Sequence, residues 1–144
     1  MPDLKETVGF LSRVPLFQGL KQRQLERLAG RFVPRSYQAG QDIVTQGKGG
    51  AGLFIITSGA AEAIRVRSDG AKVVVNTFGA TDFFGEMALL DDEPRTASVV
   101  ATQDTKCLVL SQWELFGEMR QDADVAISVL QEVVRRFRRA LNVL

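Results

Sequence analysis

The chain contains no histidine among its 144 residues. Imidazole titrates near neutral pH and is the commonest zinc ligand, so the usual general base and the usual metal donor are both missing. Catalysis is therefore not expected, and neither a metal nor a resident cofactor is implied. Cysteine is almost as scarce, with Cys107 the single example. It cannot form an internal disulfide, and its place in the apolar run 106–110 reads as a small core hydrophobe, which fits a reducing, cytoplasmic setting. No apolar run reaches the roughly 18–20 residues that a bilayer-spanning helix needs. Residues 1–14 lack the basic-then-apolar order of a signal peptide. A surplus of one charge is missing too: 18 Lys and Arg face 17 Asp and Glu, a formal net charge of +1. A generally basic surface for nucleic acid is thereby excluded. What remains, 45% hydrophobic and 24% charged residues, is ordinary for a globular domain with one buried core.

Apolar spacing separates helical ends from a strand-rich middle. Leu4, Val8 and Leu11 recur at i, i+4 and i+7, predicting a short amphipathic helix closed near Pro15. A second helix over 21–29 places Leu25, Leu28 and Ala29 on one side, with Gly30 as its terminator. From Phe32 to Leu110, runs rich in Val, Ile, Thr and Phe predict strands over 41–45, 52–57, 61–67, 72–78, 96–101 and 105–110. Gly47-Lys48-Gly49-Gly50, Ser58-Gly59, Ser68-Asp69-Gly70 and Gly79 supply the turns, and Asp69-Gly70 is a hairpin signal. Helical period returns after Leu110. Ser111-Gln112-Trp113-Glu114 reads as a capping box opening a helix to about Arg120, and a longer helix follows over 122–142. Many short strands with regular turns predict a small antiparallel barrel or roll flanked by helices. With no internal repeat or second boundary, a single domain over 1–144 is expected: N-terminal helices in 1–31, a β-roll in 32–110 and C-terminal helices in 111–144.

Residues 84–99 carry the chemistry. Asp82-Phe83-Phe84 reads as a strand end, with a helical turn over 86–90 beginning directly after Gly85. A helix start presents unpaired N–H groups to an anion, and a glycine lets backbone approach a ligand closely. Arg95 adds a permanent cation able to fork onto phosphate oxygens. Each residue also has an ordinary reading: Glu86 as a first-turn acid and Arg95 as a surface arginine. The side chains of Met87, Ala88, Leu89 and Leu90 read as packing, whereas the amides of 85–88 face the anion.

The run Phe84-Gly85-Glu86-Met87-Ala88-Leu89, four further residues, then Pro94-Arg95-Thr96-Ala97-Ser98-Val99 resembles the phosphate-binding cassette of the cyclic nucleotide-binding domain family. Phe10-Leu11-Ser12-Arg13-Val14-Pro15-Leu16-Phe17-Gln18-Gly19-Leu20 resembles that family's entry segment, and 41–47 and 53–59 resemble its early roll strands. The resemblance covers roughly residues 8–140. It implies a mainly β fold, an antiparallel double-stranded β-helix or jelly-roll-like β-roll with flanking helices. It further implies that Glu86 takes the ribose 2′-hydroxyl and Arg95 the cyclic phosphate. Thr96, with Ala97 beside it, can bond the phosphate or reach a guanine amino group, so it does not decide between cAMP and cGMP. Val75 would pack on the base and Asn76 could bond its edge; the plain alternative for both is an ordinary strand residue. Two departures, the loop Gly49-Gly50-Ala51-Gly52 and Ala80-Thr81-Asp82 in place of Pro-Gly-Asp, concern loop shape.

In the last helix, Ala126, Leu130, Val133, Phe137, Ala140 and Leu144 form a heptad-like stripe, and Ile127, Val134 and Leu141 a second row. So wide an apolar arc needs two partners. The roll would take one side; a second copy of the chain, or a lid position over the ligand, would take the other. The resemblance implies a helix that caps the base, with Arg138 and Leu141 as candidate contacts, or that forms a dimer interface. Arg135, Arg136, Arg138 and Arg139 read as a solvated face, with a lid arginine on the purine as the sharper alternative. The expected function is sensing of a 3′,5′-cyclic nucleotide, cAMP in preference to cGMP. A homodimer through helix 122–142 is the expected protein partner, with neither nucleic acid nor membrane. No helix-turn-helix pattern follows the last helix, so the chain is expected to be a free-standing sensor or the sensor portion of something longer. The alternative is a degenerate fold used as an interaction or dimerisation module; intact Gly85, Glu86 and Arg95 speak against it.

Overall fold

Alternating side chains and tight turns build residues 33–112 into two four-stranded antiparallel sheets. The computed structural model describes residues 3–48, 52–86, 89–90 and 95–143. Its strands are β1 (Val33–Tyr37), β2 (Asp42–Val44), β3 (Gly52–Ser58), β4 (Ala60–Val66), β5 (Lys72–Gly79), β6 (Phe83–Phe84), β7 (Ser98–Ala101) and β8 (Thr105–Ser111). One sheet runs β1-β8-β3-β6 and the other β2-β7-β4-β5. Both contribute to one core: Phe54, Ile56, Phe84 and Cys107 from the first, and Ile43, Ala61, Ala63, Val99 and Ala101 from the second. The two-residue period makes this possible, since Ala61 and Ala63 of β4 turn inward while Glu62 and Ile64 stay half-exposed. Burial pushes the Cys107 thiol up to about 11, so it packs as an inert hydrophobe. This is the expected jelly-roll β architecture.

The Asp69-Gly70 signal folds as the β4–β5 hairpin, with the Arg67 and Gly70 N–H groups donating to the Ala71 and Arg67 carbonyls at 2.9 Å. Its register shifts between Ala63 and Ile64, leaving Val75 as the extra residue of a β-bulge on the edge strand β5. β1 was not foreseen as a separate strand. It contains Pro34, which opposes Leu108, and four of its five residues are exposed. Proline is tolerated there because β1 is a sheet edge.

The two chain ends, up to Phe32 and from Trp113 onward, make a second compact unit of helices. These are α1 (Leu4–Leu11), a short 3-10 turn at Pro15–Phe17, α2 (Gln22–Ala29), α3 (Gln112–Gln121) and α4 (Ala123–Val143). Asp3 caps α1 by accepting from the Glu6 N–H at 2.7 Å. Within this unit α2 is tied to α3 through charge. Glu118 is fully buried and accepts from Arg27 Nε and, at 3.1 Å, from Arg31 Nε, while Arg31 Nη1 reaches Glu114 at 2.6 Å. A buried carboxylate persists only when paired in this way.

Helix α4 has two distinct faces. Val125, Val129 and Glu132 form the buried row. Ile127, Leu130, Val134, Phe137 and Leu141, spaced 3, 4, 3 and 4, form an exposed apolar row opposite it. The arginine face is largely solvated, as expected, with Arg135, Arg138 and Arg139 exposed, and it is also paired. Arg135, Arg136 and Arg139 converge on the Glu132 carboxylate at 3.0, 3.1 and 3.4 Å, and Arg138 stays exposed. Burial alone would raise the Glu132 pKa, but the hydrogen bonds from Arg135 and Arg136 outweigh it and hold the carboxyl below its ordinary value.

Candidate functional site

The site is built where β6 ends. Phe84 pairs with Phe54 of β3, and their rings stack with centroids 5.0 Å apart and planes 1° from parallel. Phe78 closes on the same ring at 5.1 Å. This aromatic anchor fixes the point at which the chain leaves the sheet. The next residue, Gly85, has φ +84°, a conformation that glycine enters without steric cost. A Cβ there would collide with the Gly52 carbonyl and come within 3.0 Å of Arg95 Nη1.

Arg95 arrives from the far side of the cassette. Its Nη2 donates to the Gly52 carbonyl at 3.2 Å, so the guanidinium lies directly against Gly85. Its backbone is held on both sides: the Gly47 N–H donates to the Arg95 carbonyl at 2.8 Å, and the Arg95 N–H to the Lys48 carbonyl at 3.1 Å. Glu86 follows Gly85 and is half-buried. Its carbonyl accepts from the Leu89 N–H at 3.3 Å, the i, i+3 bond of a tight turn. Leu89 is fully buried, and its carbonyl accepts from Gln112 Nε2 at 3.0 Å. Gly85, Glu86 and Arg95 are therefore neighbours. Met87 and Ala88 lie outside the described residues, as do residues 91–94.

The other expected residues sit around this centre. Thr96 is exposed, and its carbonyl accepts from Arg65 Nε at 3.3 Å; Ala97 is half-buried. Val75 is exposed at the β5 bulge. Asn76 is also exposed, and its Oδ1 accepts from the Thr77 N–H at 2.9 Å. Arg138 and Leu141 are exposed on α4. Sequence reasoning passed over Gly52 and the 46–48 turn as supports for Arg95. The only hint was the density of glycine at 47–52, which marks close backbone approach as well as a turn.

The turn that delivers β6 to Gly85 is strained. Thr81, where the related pattern commonly has glycine, adopts φ +77°. A β-branched residue there is a true outlier, since its Cβ crowds the backbone. It is retained by a dense local network: the Thr81 N–H donates to the Ile56 carbonyl at 2.8 Å, and the Gly79 N–H to Asp82 Oδ2 at 2.8 Å.

A half-buried guanidinium beside a glycine, with a carboxylate one residue on, suits an anionic group carried next to hydroxyls. Among the described residues no cluster of His, Cys, Asp or Glu could hold a metal ion, and no helix is long and apolar enough to cross a membrane.

Comparison with known proteins agrees with this geometry. The profile of the family described as Cyclic nucleotide-binding domain matches residues 34–122. The chain is 41% identical over 98 residues to a cAMP-dependent protein kinase regulatory subunit of Aspergillus fumigatus, covering 68% of this chain and 23% of that protein. It is 33% identical over 126 residues to the Cyclic AMP receptor protein of Thermus thermophilus, covering 88% of this chain and 58% of that one. The chain thus spans only part of the length of these relatives. Among solved structures, the N-terminal domain of a transcriptional regulator from Streptomyces coelicolor A3(2) superposes with a TM-score of 0.87 at 28% identity, over 94% of each chain. Fold, cassette and relatives coincide, and the chain belongs to the cyclic nucleotide-binding domain family.

Proposed function

We propose that this domain is a cytoplasmic regulatory sensor that binds a 3′,5′-cyclic nucleotide reversibly, cAMP in preference to cGMP, and performs no chemistry on it. The observation that carries the proposal is the Arg95 guanidinium lying against Gly85, at a position where any Cβ would intrude. Arg95 neutralises the cyclic phosphate with charge-assisted hydrogen bonds, and the amides of 85–88, with Thr96 and Ala97, complete its cradle. Glu86 accepts from the ribose 2′-hydroxyl, which explains a carboxylate so close to an anion site. Val75 and Asn76 meet the base. Both relatives named above carry cAMP in their names, which favours cAMP.

The output runs through α4. Ligand favours a position of α4 in which Arg138 and Leu141 cap the base, a shift between pre-existing states rather than a new fold. The exposed row Ile127, Leu130, Val134, Phe137 and Leu141 supports a homodimer, because five apolar side chains at heptad spacing form a coiled-coil seam. Calorimetric titration of cAMP and of cGMP into the purified chain tests the reading. Saturable binding, tighter for cAMP and severely weakened in Arg95→Ala, is expected. A folded, ligand-free chain that gives heat with neither nucleotide refutes it.

A further inference from the structure

Arg95, Thr96 and Ala97 belong to no strand. Their placement depends on bonds from outside the cassette, and those to the Arg95 backbone come from the turn after β2. Gln46 stands in the turn after β2. Its Nε2 donates to the Val66 carbonyl at 3.2 Å, and the Val66 N–H donates to its Oε1 at 2.8 Å, so one amide closes both polar groups at the end of β4. Its own N–H donates to Ser98 Oγ at 2.8 Å, at the start of β7. The next two residues are the pair that grip the Arg95 backbone, Gly47 from one side and Lys48 from the other. Arg65, one residue before Val66, donates to the Thr96 carbonyl. The end of β4, the turn after β2 and the cassette thus form one hydrogen-bonded unit with Gln46 at its centre.

We infer that Gln46 is a positioning residue for Arg95: its amide splints the turn to β4, and the turn fixes where the Arg95 guanidinium stands over Gly85. In this role Gln46 acts through its bonds to Val66 and through the turn, not as a ligand contact. Its contribution is preorganisation, since an arginine already held in its binding geometry loses less freedom when an anion arrives. The inference rests on the binding function proposed above and deepens it.

The test is a double-mutant cycle on the whole chain, with cAMP affinity read by calorimetry for tight variants and by NMR titration for weak ones. Gln46→Ala removes the side chain, and Gln46→Met keeps its length while deleting the amide. Both are expected to weaken cAMP binding about tenfold, the loss of roughly one net hydrogen-bond pair. In an Arg95→Ala background either substitution is expected to change affinity less than twofold, because the residue it positions is gone. Thermal unfolding of each variant checks that the fold is intact. Gln46→Met binding like the parent overturns the inference, since packing alone would then be its role. A tenfold loss that persists undiminished in the Arg95→Ala background also overturns it, since Gln46 would then act independently. A parent chain that binds neither nucleotide overturns the site reading together with the role of Gln46, and is distinguishable from the other failures.

Discussion

Replacing Gly85 by alanine is the sharpest perturbation of this site, because the structure separates its two costs. The first is backbone strain. At φ +84° an L-residue meets its own carbonyl, which costs about 1–2 kcal/mol. The second is collision: the new Cβ meets the Gly52 carbonyl and Arg95 Nη1, so the guanidinium must move and its hydrogen bond to Gly52 is lost. A bond to a charged group is worth about 1.5–3 kcal/mol. Together these give about 3–4 kcal/mol, a midpoint fall on the order of 10 °C for a domain of this size. Two other glycines act as internal standards. Gly70 has φ +85° with nothing within 4 Å, so Gly70→Ala carries strain alone and should fall by about 5 °C. Gly79 has neither a positive φ nor a neighbour within 4 Å, so Gly79→Ala should stay within about 0.5 kcal/mol of the parent. Thermal unfolding of the three variants side by side is the assay, with cAMP titration as a second readout; only Gly85→Ala should lose affinity, by tenfold or more. If Gly85→Ala and Gly70→Ala melt together, the collision does not matter and the argument about Arg95 is wrong.

Arg95→Ala should weaken cAMP binding about a hundredfold by calorimetry and also lower the unfolding midpoint by roughly 5 °C, because the bond from its guanidinium to the Gly52 carbonyl is lost along with those to the ligand. Thr81→Gly should raise the midpoint by roughly 3 °C: relief of strain at φ +77° exceeds the unfolded-state entropy that glycine adds. Glu132→Gln should lower stability at pH 7, and the gap from the parent should close on acidification. The folded pKa of Glu132 is depressed, so its contribution is present above the ordinary carboxylate range and is lost as pH falls through the folded value. Denaturant curves between pH 7 and pH 3 would show a constant gap if the arginines contribute nothing. For the proposed homodimer through α4, the parent should self-associate in sedimentation and Phe137→Glu should stay monomeric at the same concentrations; a parent that is monomeric throughout refutes the dimer.

What could be read beforehand was whatever local pattern determines. Alternation and turn residues located β3, β4, β5 and β8 to within two residues, because each strand's buried face and each turn's glycine are written in neighbouring positions. The cassette was legible for the same reason, being a contiguous run. β1 was harder to see, because an edge strand with exposed residues and a proline has neither alternation nor strong propensity. The pairing of Arg27 and Arg31 with Glu118 joins positions some ninety residues apart, and no local rule links them. Gln46 was missed because a glutamine beside a glycine reads as solvated loop, and only the folded register brings it to Val66. On α4 the apolar residues were visible but not their division into rows: the exposed row takes Leu130 and Phe137 from one expected stripe and Ile127, Val134 and Leu141 from the other, while the buried row of Val125, Val129 and Glu132 belongs to neither.

That last point bears on the output proposed for α4. The five residues of the exposed row are each 44–64% accessible, so a partner copy could remove roughly half a side chain's surface at each. Full burial of such a side chain is worth about 1.5–3 kcal/mol, so half is about 1 kcal/mol, and two copies of five residues give on the order of 10 kcal/mol. Association itself costs about 4–15 kcal/mol. The seam alone therefore supports an association close to balance, not an obligate dimer. An assembly near balance is the kind that a few kcal/mol of ligand preference can tip, whereas a seam twice as long would hold regardless of ligand. The length and burial of the row suit α4 to a switch better than to a permanent joint.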